Sequence, residues 1–252
     1  MEAALARRPT ARTGRSGRIR GGSAPRVAAA PPGKALDVAP DSALTLAGRR
    51  KAGTVVIACG ALAREIVHFR DMNAVPAFDV ACIPAWLHNA PQLIPDRVRE
   101  KIRECRAAYD RILVAYADCG TGGLLDRVLD EEGVERIEGP HCYAFYTGQA
   151  AFDALAEAET GTFYLTDYMV RHFDRLIVEG LGLDRHPELR DDYFRHYTRC
   201  LYIAQTRDAA LQVKAQAAAA RLGLGYAYRY VGYGELEEFL GRAAAPLPDP
   251  GV

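Results

Sequence analysis

Serine is missing from the whole stretch between Ala52 and Val252. A serine–histidine–aspartate hydrolase is thereby excluded there, because its nucleophile is absent. No apolar run approaches the roughly 18–20 residues needed to cross a bilayer. The longest weakly polar stretch, 211–224, carries Lys214 and Arg221 and reads as a packed helix, so no membrane span is expected. No charged, then apolar, then small-residue leader pattern opens the chain. No Cys-x-x-Cys pair occurs, so no sequence-local zinc or redox motif exists. The glycine-rich stretches lack both the Gly-Lys-Ser/Thr of a phosphate loop and the Gly-x-Gly-x-x-Gly spacing of a dinucleotide fold.

The net charge is zero, but it is unevenly spread. Residues 1–51 hold nine Arg and two Lys against Glu2, Asp37 and Asp41, a balance of +8, which leaves −8 on the rest. An acidic body is a poor nucleic-acid binder, since phosphate contacts need a basic face. The basic segment is rich in Arg, Ala, Gly, Pro and Ser with no apolar period, so residues 1–52 are expected to be a disordered tail. Such a tail suits a nucleic-acid arm, a transit peptide, a membrane-surface contact or a plain extension.

From Gly53 onward, apolar runs alternate with helical patterns. Strands are predicted at 54–59, 77–85, 111–117, 134–140, 162–166, 201–205 and 225–232, with helices between them. Val98, Ile102 and Cys105 mark the inner stripe of one helix, near 95–109, with Pro95 and Asp96 at its start. β-Branched strands separated by helices of about 10–15 residues predict parallel pairing. The expected fold is doubly wound α/β, a mostly parallel sheet of six or seven strands, over one domain at 53–244. A helical insertion near 167–200 and a terminal loop at 245–252 complete it.

Ligands of open parallel sheets bind beyond the carboxyl ends of the strands. Reading those ends along the chain gives Cys59, then Cys82 followed by His88, then Cys119, then His141 and Cys142. Four of the six cysteines and two of the six histidines thus fall in short windows on one expected edge. Scattered thiols without a dense disulfide spacing fit a reducing, cytoplasmic setting. Cys59, Cys119 and Cys142, with His88 or His141 as a fourth ligand, would suit zinc, and three thiolates would suit an iron–sulfur cluster. Each is equally readable as a small buried hydrophobe. Cys82, Cys105 and Cys200 read as core residues. A metal-free alternative makes Cys119 a nucleophile with His141 or His88 as base. A third gives Gly120, Thr121, Gly122 and Gly123 of "CGTGG" to a small anion at a helix start. Asp118 and Asp167 read as hydrogen-bond acceptors that orient a ligand side chain or as helix caps, with Asp167 the cap.

The motifs "VIACGALAREI", "IPAWLHNAPQLIPDRV", "YADCGTGGLLD", "GPHCYAFY", "FYLTDYMVRHFD" and "GLGLDRHPELRDDYFRHY" resemble the domain-of-unknown-function 1638 family over residues 54–240. The resemblance implies an accessory role in one-carbon metabolism, beside a corrinoid-dependent methyltransferase as partner. It carries over no catalytic residue.

Overall fold

The computed structural model describes residues 53–72 and 78–246. The expected tail at 1–52 and most of the terminal loop lie outside the described residues.

Strand β1 (Thr54–Cys59) is buried along its whole length, and its sequence TVVIAC has no charge to hydrate. It pairs in parallel with β2 (Phe78–Ile83) on one side and with β3 (Arg111–Ala115) on the other. A two-residue strand, β4 (Glu135–Arg136), adds to β3, giving the order β2-β1-β3-β4. The remaining strands, β5 (Thr162–Leu165), β6 (Arg199–Ala204) and β7 (Gly225–Tyr230), form a separate three-stranded parallel sheet. The α/β class with parallel pairing and flanking helices therefore holds, but the seven strands divide into two sheets instead of one. β4 is too short to carry the ladder further, and the chain then spends residues 142–158 on helices before the next strand. Strand periodicity reports which faces are buried but not which strand is the neighbour.

Helix α1 (Ala63–Met72) links β1 to β2. Helix α2 (Ile94–Arg106) buries Ile94, Val98, Ile102 and Cys105, the i, i+4 stripe of an amphipathic helix. Helix α3 (Leu124–Glu132) packs against α2 and stops at Gly133, whose φ of 62° supplies the left-handed cap. Two helices, α4 (Cys142–Thr147) and α5 (Gln149–Ala158), lie between β4 and β5, with Gly148 breaking between them.

The helical region near 167–200 is the crossover from β5 to β6. It holds α6 (Asp167–Arg171), a π-helical turn at Asp174–Glu179 and α7 (Leu189–Phe194). Val170, Phe173, Val178 and Phe194 pack with the inner face of α8 (Ala209–Leu222) in a core on the second sheet. The larger core surrounds β1 and takes Leu236, Phe239 and Leu240 from α9 (Glu235–Ala244). β6 serves both cores. Leu201 and Ile203 face the first, whereas Cys200, Tyr202 and Ala204 face the second, as a period of two requires.

Gly234 sits where α9 begins, with φ of 50°, and a Cβ there would stand 2.6 Å from the Phe145 carbonyl oxygen. Gly234→Ala is expected to destabilise the protein by about 3 kcal/mol or more, since strained backbone and backbone overlap add. The shift in the urea unfolding midpoint measures it.

Candidate functional site

The order β2-β1-β3-β4 has its switch point between β1 and β3, where the chain leaves β1 first to one side and later to the other. A crevice forms beyond the carboxyl ends at such a point. Cys59 is the last residue of β1, and its Sγ accepts a hydrogen bond from the Ala61 amide at 3.3 Å. The next residue must be small. A Cβ on Gly60 would stand 3.2 Å from the Ile83 carbonyl oxygen and 3.3 Å from the Ala85 amide nitrogen.

Beyond β3 the backbone stays paired. The Asp118 amide donates to the Gly139 carbonyl at 3.0 Å and the Cys119 amide to the Pro140 carbonyl at 2.9 Å. This ties Cys119 to the segment that delivers His141 and Cys142, the latter being the first residue of α4. Cys119 has φ of 48°, the one non-glycine with positive φ among the described residues. That conformation costs about 1–2 kcal/mol for a residue with a Cβ. A cysteine held there is paid for by the rest of the fold.

The three thiols influence one another. Burial pushes Cys59 up to about 12, and the Cys142 thiol adds to this. Burial likewise raises Cys119 well above the ordinary thiol range, with Cys142 and Cys59 next among the causes. Cys142 is pushed up to about 12 by burial, with the Glu65 carboxylate contributing. Cys59 is buried, whereas Cys119 and Cys142 keep partial access to solvent.

His88 is exposed as a residue, yet its ring packs on Tyr116 at 5.7 Å between centroids and 16° between planes. Its Nδ1 lies 2.9 Å from the Ala85 carbonyl oxygen and 4.0 Å from Cys59 Sγ. A carbonyl only accepts, so Nδ1 carries the proton. Burial of the ring lowers the His88 pKa against the opposing effect of that hydrogen bond. The imidazole is therefore neutral at pH 7, with its lone pair on Nε2. His141 also falls below its ordinary value, first through burial; Asp118 opposes this and the neighbouring His88 reinforces it.

Tyr116 was hidden in sequence as one more apolar letter of a strand run. It is fully buried, with its hydroxyl against the Cys59 thiol. Burial raises its pKa first, and Cys59, Cys119 and Cys142 add to the effect, so this hydroxyl stands among the three thiols.

The glycine loop is occupied by its own chain. The amides of Gly122 and Gly123 donate to the Asp118 carboxylate at 3.2 and 3.0 Å, and the Thr121 hydroxyl donates to the same group at 2.5 Å. Burial disfavours the Asp118 carboxylate, but the bonds from Thr121, Gly123, Gly122 and Gly120 outweigh it, and the pKa is lowered. The amides expected to meet an external anion at 120–123 are thus turned onto Asp118.

All five proposed ligands, Cys59, Cys119, Cys142, His88 and His141, lie on one edge. Among the described residues, however, no three His, Cys, Asp or Glu side chains are grouped tightly enough to enclose a metal ion as they stand. Cys105 and Cys200 are buried, as expected of core thiols, but Cys82 is exposed on the outer strand β2. Asp167 is not the cap expected of it. Thr166 caps α6 through Met169, and Asp167 is fully buried, accepting from the Tyr202 hydroxyl at 2.6 Å and the Gln205 amide at 3.0 Å.

Two parallel sheets flanked by helices define an α/β protein, with thiols at the strand ends of the first sheet. A family model described as a protein of unknown function (DUF1638) matches residues 82–240, and the chain belongs to that family. The matched span begins at Cys82, so β1 and Cys59 precede it. No curated protein and no solved structure matches the chain. No helix among the described residues is long and apolar enough to cross a membrane.

Asp118→Asn is expected to lower the melting temperature at pH 7, a loss of about 1–2 kcal/mol for charge-assisted bonds. The folded pKa of Asp118 lies below the ordinary 3.8. Its contribution is therefore present above pH 3.8 and is lost as pH falls through the folded value. Melting curves of both proteins from pH 7 to pH 3 should converge at the acid end.

Proposed function

We propose that Cys59, Cys119 and Cys142, with His88 or His141, bind a thiophilic metal centre, zinc or an iron–sulfur cluster, at the switch point of the first sheet. The observation that carries this reading is the state of His88. Its Nδ1–H is committed to the Ala85 carbonyl 2.9 Å away, so Nε2 is the free donor atom. Metal-binding histidines are characteristically oriented in this way. The thiols support it as well. Three neighbouring groups that each resist ionisation lose their protons together when a cation arrives, which couples metal binding to proton release. Closure around an ion requires side-chain rotation at the strand ends, because no three of these side chains enclose one as they stand.

The metal-free alternative, Cys119 as a nucleophile, has weaker support. The thiolate is the reactive form, and burial with neighbouring thiols disfavours it at Cys119. His88 approaches Cys59 Sγ at 4.0 Å, and it does so through the protonated nitrogen. The corrinoid-linked, one-carbon role rests on the family resemblance; a metal–thiolate centre is a chemistry through which a methyl group can be passed, and a methyltransferase would then be the partner.

Protein purified without oxygen is expected to carry about one zinc ion or one cluster per chain by elemental analysis. Cys119→Ser should weaken zinc binding by more than the roughly 10- to 100-fold typical of outer-shell changes. Competition with a chromophoric chelator reads this. Absence of stoichiometric metal, together with unchanged zinc affinity in Cys119→Ser, overturns the proposal. Selective alkylation of Cys119 with loss of function in metal-free protein would instead establish the nucleophile.

A further inference from the structure

A second cleft, of about 460 Å³, opens between α1, α6, the turn after β6 and Tyr233. Its inner wall is a chain of charges. Arg171 lies between two buried carboxylates, Nη1 at 3.4 Å from Glu65 Oε1 and Nη2 at 3.4 Å from Asp167 Oδ2. Asp167 is saturated by Tyr202, Gln205 and Thr206. Glu65 is not. It is only 3% exposed, it lines the cleft, and its Oε2 has no hydrogen-bond partner. Burial raises the Glu65 pKa, Asp167 adds to this, and the charges of Arg171 and Arg64 oppose it, so two carboxylates share one hydrogen-bonded guanidinium. An acceptor so buried and unpaired is costly unless something supplies a donor.

The outer wall carries the opposite sign. Arg64 and Arg207 are exposed on it; neither forms a salt bridge among the described residues, and the charge of Arg64 acts on Glu65 through space. Arg207 lies over the Tyr230 ring at 4.0 Å, which fixes the guanidinium while leaving its donors free. The acids nearby are engaged elsewhere. Asp208 caps α8 through the amides of Ala210 and Leu211, and Asp71 pairs with Arg70 at 3.2 Å. The cleft thus offers a buried acceptor at its inner end and two unpaired guanidiniums at its outer end.

We infer that this cleft binds a small zwitterion of the amino-acid class, its ammonium group on Glu65 and its carboxylate on Arg64 and Arg207. The ammonium supplies the donor that Oε2 lacks and offsets the second carboxylate of the Glu65–Arg171–Asp167 chain. The carboxylate takes the planar fork for which arginine is suited. The inference uses none of the cysteines, and the link between the two regions is the Glu65 carboxylate, which also raises the Cys142 thiol.

The test is isothermal titration of the full chain with α- and ω-amino acids of two to six carbons. Matched carboxylates and matched amines serve as single-charge controls. At least one zwitterion should bind at least tenfold more tightly than both of its controls. Glu65→Gln and Arg207→Ala should each weaken that binding at least tenfold, and Cys119→Ser should leave it unchanged. Arg207 is on an exposed turn, so its variant tests the idea even if the Glu65 variant folds poorly. No binding of any zwitterion at millimolar concentration overturns the inference. Equal binding of a plain carboxylate, or zwitterion binding unaffected by Arg207→Ala, overturns it too.

Discussion

Everything at the first site depends on the parallel pairing of β1 with both of its neighbours. β1 holds β2 over six residue pairs and β3 over five, and the ladders run in one direction. Strand ends separated by dozens of residues in sequence therefore emerge side by side. Cys59 leaves β1 at that edge, and two further backbone bonds, from Asp118 and Cys119 to Gly139 and Pro140, continue the pairing past β3 toward His141 and Cys142. Without that ladder the thiols would be unrelated side chains. With it, they alter one another's ionisation.

Much of this was legible in the chain itself. The run TVVIAC could only be a strand buried on both faces, and the stripe Val98, Ile102, Cys105 could only face a core. The rule that parallel sheets present their carboxyl ends to ligands then singled out Cys59, Cys119 and Cys142, which the strand order brings to one edge. What the sequence could not convey was partnership. Nothing in the pattern of residues 162–230 states that its three strands pair only with each other. Nor does an apolar-looking tyrosine in a strand run announce that its side chain will end buried among three thiols, as that of Tyr116 does. Exposure of Cys82 was equally unreadable, because an outer strand and a central strand share the same period.

The glycine loop illustrates how a correct local reading leads to a different chemistry. Glycine permits the positive φ of residues 120, 122 and 123, and the amides do converge on an anion. That anion is Asp118, one turn back in the same chain. The loop is thus a self-contained clasp that stiffens the backbone around Cys119. This explains how a non-glycine residue can be held at φ of 48° immediately before it. The two regions differ in chemistry: sulfur and imidazole gather at the strand ends of the first sheet, carboxylate and guanidinium in the cleft beside α1.

β6 contributes alternate side chains to two separate cores, Leu201 and Ile203 to one and Cys200, Tyr202 and Ala204 to the other. A strand shared in this way acts as a party wall between two rooms. Neither half can be excised without stripping the lining from the other. The modest three-stranded sheet and the larger four-stranded one are therefore bound to fold, and to come apart, as a single cooperative unit.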